Sequence, residues 1–154
     1  EVLKKLFIGL TVVVCILSAC SKKPESEADW QPSSFDTDNS LDGVTMSTKP
    51  GTGTPTGLTV IIENRSSERF LYGQYFSVEK KSGDNWYEVP ILEDAYSFID
   101  LGHNVAPLQS VEWVVDWEGY YGVLDNGEYR ILKDFRNSKE TDEIYHLAAE
   151  FIVQ

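Results

Sequence analysis

The chain has 154 residues, a formal charge of -12 and a pI near 4.5, a field that repels phosphate backbones and disfavours nucleic-acid partners. Hydrophobic residues make up 42% and charged residues 25%, an ordinary globular composition with room for one domain and short appendages. Cys15 and Cys20 are the only cysteines, so the body of the chain has no disulfide and no cysteine-bound metal, and no polybasic run offers it to anionic lipid.

Residues 1–19 read as a cleaved signal peptide. Lys4 and Lys5 precede an apolar run from Leu6 to Leu17, too short to cross roughly 30 Å of hydrocarbon but suited to a signal core. The run ends in Leu17-Ser18-Ala19-Cys20, which resembles the lipobox of bacterial lipoproteins. Small residues at Ser18 and Ala19 admit the scissile bond to a signal peptidase, and the Cys20 thiol accepts the lipid before cleavage. The expectation is a lipid attached at Cys20, with Cys15 discarded. An ordinary signal peptide with an incidental cysteine, or an uncleaved anchor, would use the same residues.

Residues 20–41 are expected to form a flexible acidic tether. Trp30 and Phe35 are its only large apolar side chains before Leu41, too few to offset the entropy of ordering it. Within it, Asp36-x-Asp38-Asn39 continuing to Asp42-Gly43 suggests a calcium loop. That loop needs glycine at its sixth position and an acid at its twelfth, where this chain has Leu41 and Ser47. A solvated linker fits better.

From residue 42 the hydrophobic period is two. Val44 to Ser47 is the first expected strand, followed by the turn-rich Lys49 to Pro55. Leu58, Val60 and Ile62 alternate with Thr59, Ile61 and Glu63. Tyr72 to Lys81 reads as one strand, and Ser82-Gly83-Asp84-Asn85 as the hairpin that returns it through Trp86 to Val89. Residues 91–107 suggest a short strand and an irregular crossing. Val111, Trp113, Val115 and Trp117 share one face of the next strand, and Gly119 to Gly122 forms a helical turn or loop. The most patterned run follows: Asp125-x-Gly127-x-Tyr129 has the spacing of a tyrosine corner, leading into a strand with Tyr129, Ile131, Lys133 and Phe135 on one face. The last strand, Ile144 to Val153, turns Tyr145, Leu147, Ala149, Phe151 and Val153 inward.

Seven or eight short strands between residues 42 and 154 predict an all-β domain, an immunoglobulin-like antiparallel β-sandwich without a disulfide. Asn64-Arg65-Ser66-Ser67, the segment Tyr75 to Lys81, and Asn85-Trp86-Tyr87-Glu88-Val89-Pro90 resemble the middle of a bacterial immunoglobulin-like domain of small Gram-positive lipoproteins. Gly127 to Lys133, with Ala149-Glu150-Phe151, is similar to its C-terminal half. The resemblance implies an extracytoplasmic fold and brings no catalytic residues. Where antibody domains carry a cysteine two residues after the corner tyrosine, this chain has Ile131, so apolar packing must replace the bridge.

No catalytic, cofactor or metal constellation emerges. His103 and His146 lack a partner at metal-ligand spacing, and no serine sits in a nucleophile elbow. Carboxylate pairs such as Asp84/Glu88 and Glu93/Asp94 are what chance gives a chain with 25 acids. Trp117, Tyr120 and Tyr121 have two readings: a surface for a protein partner or sugar, or a plug for the end of the sandwich. The functional expectation is a non-enzymatic module, lipid-anchored on the extracytoplasmic face of the cell membrane, that binds an envelope protein or serves structurally. Alternatives are an enzyme inhibitor using the loops of residues 91–107 or 117–127, and an envelope enzyme or solute-binding lipoprotein.

Overall fold

The computed structural model describes residues 27–35, 41–92, 94–95, 97–98, 101–139 and 142–154. Among these residues, nine strands form two antiparallel sheets: β1 (Val44–Thr48), β2 (Gly57–Asn64), β3 (Phe70–Tyr72), β4 (Ser77–Ser82), β5 (Asn85–Glu88), β6 (His103–Val105), β7 (Gln109–Asp116), β8 (Gly127–Asn137) and β9 (Tyr145–Val153). One helical turn, α1 (Glu118–Tyr121), lies between β7 and β8. The smaller sheet runs β1-β2-β7 and the larger β5-β4-β8-β3-β6, with β9 on the other edge of β8. This is the expected immunoglobulin-like sandwich, and none of its cysteine-free strands is bridged.

β2 shows how the pattern makes the fold. Its side chains alternate strictly, with Leu58, Val60, Ile62 and Asn64 buried and their neighbours half-exposed. A period of two places every second residue on one sheet face, so the apolar set faces the larger sheet. Opposite stand Val78, Ile131, Phe135 and Leu147, none more than 1% exposed. Asn64 ends the apolar row and is also buried. Its side-chain amide donates to the carbonyls of Glu68 (2.7 Å) and Ala106 (3.1 Å), while its oxygen accepts the Ser66 amide at 2.9 Å. Those bonds close the corner that carries the chain from one sheet to the other.

The larger sheet is assembled on β8. Its eleven residues pair with β9 from Gly127 to Phe135 along one edge. Along the other edge they pair first with β4, at Tyr129 to Leu132, and then with β3, at Arg136 and Asn137. The single strand expected over residues 72–81 is therefore two. Residues 73–76 carry the chain between the two partners of one long strand, and local periodicity holds no record of that change. Ser82 and Asn85 close the β4–β5 hairpin around Gly83-Asp84, with Gly83 at φ 60°, the left-handed value such a turn requires at its first central residue.

Residues 27–35 of the expected tether are part of the folded body. Residues 31–33 lie antiparallel to β5, with Pro32 opposite Tyr87. Trp30 packs against the core from this segment. The flexible-tether expectation is corrected for residues 27–35: composition undercounted them because their partners are polar and distant in sequence.

Candidate functional site

Cys20, the expected lipid attachment, lies outside the described residues. The corner residues lie within them. Tyr129 Oη donates to the Asp125 carbonyl at 2.9 Å, four residues upstream, the bond that gives a tyrosine corner its function of fixing a strand entry. The ring is 2% exposed and stacks on Phe151, with centroids 5.6 Å apart and planes 20° apart. A Cβ at position 127 would lie 2.9 Å from Lys80 Cε and 3.3 Å from the Tyr129 ring, so a side chain there would displace the end of Lys80 and press on the corner tyrosine. Burial pushes the Tyr129 hydroxyl above its usual pKa, against the pull of Lys80. Tyr129→Phe keeps the ring and deletes the bond, and is expected to cost about 1–2 kcal/mol in urea unfolding; an unchanged midpoint would remove the corner from the stability of the fold.

Of Trp117, Tyr120 and Tyr121, the first and last are buried and offer no partner surface. Trp117 is 0% exposed, and its indole N–H donates to the Pro55 carbonyl at 2.9 Å. Tyr121 is buried and donates to the Phe76 carbonyl at 3.2 Å, and desolvation raises its pKa well above the tyrosine range. Tyr120 stacks on Phe98 at 4.2 Å, with the rings 2° from parallel. The reason is α1: the backbone of Tyr120 and Tyr121 folds back on the Trp117 carbonyl, which turns the indole and the Tyr121 ring under the end of the sandwich. Trp117 and Tyr121 plug the fold, and Tyr120 packs half-buried at its edge.

Neither histidine gathers a metal site. His103 opens β6 rather than a loop and stacks on Tyr72 at 5.4 Å. His146 Nδ1 lies 2.8 Å from an Asp134 carboxylate oxygen. No group of three or more histidine, cysteine or acidic side chains suited to a metal ion occurs among the described residues.

Two charged sites were not anticipated, and both sit on β8. Lys133 points into the sandwich, 1% exposed. Its ammonium lies 4.4 Å from the Trp113 ring centroid and donates to the Tyr75 carbonyl. Desolvation lowers its pKa to about 8, against the raising influence of Asp134. The alternation of Tyr129, Ile131, Lys133 and Phe135 already placed this lysine inward, so the signal was present.

The second site lies on the opposite face. Arg130 Nε donates to a Glu79 carboxylate oxygen at 2.6 Å, and the side chains are 3% and 0% exposed. The guanidinium lies 4.7 Å from the Trp86 ring centroid, a cation-π contact that shields the pair from water. Ser33 completes the cover: its hydroxyl donates to the other Glu79 oxygen at 2.6 Å and accepts from Arg130 Nη2 at 3.0 Å. Beside this network, a cleft of about 570 Å³ opens between Trp30, Phe35, Tyr75, Val89 and Tyr121. Both Glu79 oxygens and two of the three Arg130 nitrogens are engaged by protein, the pairing that buried charge requires.

Two packed antiparallel sheets, a corner tyrosine and a disulfide-free core define an immunoglobulin-like sandwich module. The family model described as "Bacterial Ig-like domain" matches residues 40–152, and the chain belongs to that family. Membership points to a non-catalytic binding or structural module. No curated protein sequence matches the chain. The matched span includes Glu79 and Arg130 and excludes Ser33.

Proposed function

We propose that the protein is a lipid-anchored, non-catalytic immunoglobulin-like module on the extracytoplasmic face of a bacterial membrane. There it presents its sandwich to a protein partner in the cell envelope or acts structurally. The observation that carries this reading is Leu17-Ser18-Ala19-Cys20, placed directly after a lysine-led apolar run of signal-peptide length. Two acyl chains on a diacylglycerol supply the stable attachment that one chain does not, which suits a strongly acidic body with no affinity of its own for anionic lipid. A closed core plugged by Trp117 and Tyr121 leaves binding to strand edges and loops. Cells expressing the full chain are expected to incorporate radioactive palmitate into it, and Cys20→Ser to abolish the label. An unlabelled wild type, or label that survives the substitution, refutes the anchor.

A further inference from the structure

We infer that the outer edge of β5 is a strand-addition site whose resident ligand is the chain's own segment 31–35, and that its occupancy sets the length of the membrane leash. The part about the leash rests on the lipid anchor proposed above; the docking does not.

The segment is recognised in two ways. Main-chain bonds give it register: the Glu88 amide donates to the Gln31 carbonyl and the Ser33 amide to the Trp86 carbonyl, both at 2.9 Å. Pro32 falls between them, opposite Tyr87, where an edge strand has no donor to lose. Side chains give it specificity. Ser33, outside the matched family span, bonds both Glu79 and Arg130 through its hydroxyl, and the Phe35 carbonyl accepts from Arg130 Nη2 at 3.4 Å. The site thus takes an extended segment with a hydroxyl at its centre, facing a carboxylate and a guanidinium at once. Glu27 pairs with Lys80, and the Phe35 ring lies 4.8 Å from that of His146, which fixes both ends.

Strand addition of this kind is how sheets capture extended peptides, and here it has a mechanical consequence. With the segment docked, Cys20 precedes Glu27, the first residue of the docked stretch, by seven positions, a reach of at most about 25 Å at roughly 3.5 Å per residue. With it released, the leash extends to Leu41 and the reach becomes about 75 Å. Docking therefore holds the β5 edge towards the bilayer. A partner strand that pairs with Trp86 to Glu88 must displace the segment and lengthens the leash as it binds.

Amide exchange on the full chain tests the docking. The Ser33 and Glu88 amides are expected to exchange at least tenfold more slowly than free peptide. Ser33→Pro, which removes both the hydroxyl and the N–H, should return Glu88 to near that rate without unfolding the core amides of β2. Ser33→Ala keeps the main-chain bonds and should fall between. Free-peptide exchange at Ser33 in the wild type, or unchanged protection of Glu88 in Ser33→Pro, overturns the docking. For the leash, a donor dye on Asp84→Cys in the lipidated chain reports energy transfer to acceptor lipids in vesicles. Transfer should fall at least twofold when Ser33→Pro is added, and equal transfer overturns the leash. Vesicle binding that persists in Cys20→Ser would remove the anchor and leave the exchange result intact.

Discussion

Arg130→Met is expected to lower the unfolding free energy by roughly 3–5 kcal/mol, measured by urea denaturation. The magnitude follows from what the substitution leaves behind. Glu79 is 0% exposed, and without Arg130 its carboxylate keeps, among the described residues, only the Ser33 hydroxyl as a partner. A buried charge deprived of its counter-ion loses the attraction and retains the desolvation cost. The double substitution Arg130→Met/Glu79→Leu carries no orphaned charge and should recover most of the loss, to within about 2 kcal/mol of wild type. A double-mutant cycle on these variants reads the coupling directly. If Arg130→Met costs under 1 kcal/mol, water reaches the pair and residues 31–35 do not cover it.

That network marks the limit of what the sequence could disclose. Strand alternation was legible where one face meets the core and the other meets water, as in β2 and β9, and the corner spacing from Asp125 to Tyr129 was legible because it is local. The division of residues 70–82 into β3 and β4 was not, because it depends on β8 changing partner along its own length. Nor was the docking of residues 31–35. Its hydrogen bonds span 46 and 97 positions in sequence, and its residues, one proline and two serines among them, carry the composition of a linker. Arg130 and Glu79 lie on the sheet face away from the sandwich core, and only a third layer of chain over that face makes them a site. The aromatic residues 117–121 were ambiguous for a related reason. Their exposure depends on one turn of helix, whose direction is set by contacts with Pro55 and Phe76.

Lys133 yields a second large effect, visible as pH dependence. Its folded pKa lies at about 8, lowered chiefly by desolvation from an ordinary 10.5. Between those values the unfolded chain holds a proton on this lysine that the native state does not. Stability then rises with pH, at up to about 1.4 kcal/mol per unit. Below about 8 the charge is present in both states and its full burial cost weighs on the fold. Above about 10 the trend reverses, because burial holds Tyr72, Tyr121 and Tyr129 above the pKa of a free tyrosine, so unfolding releases protons there. The wild type should therefore show increasing urea midpoints from pH 8 to 10. Lys133→Met fills a similar volume without the charge and should flatten that rise, while gaining about 1–2 kcal/mol at pH 7 despite leaving the Tyr75 carbonyl without its ammonium donor. The difference between the two curves isolates this lysine from every other group that titrates in the range. A difference that stays constant from pH 7 to 10 would mean that Lys133 remains charged in the core, with the Trp113 ring and the Tyr75 carbonyl replacing the water it lost.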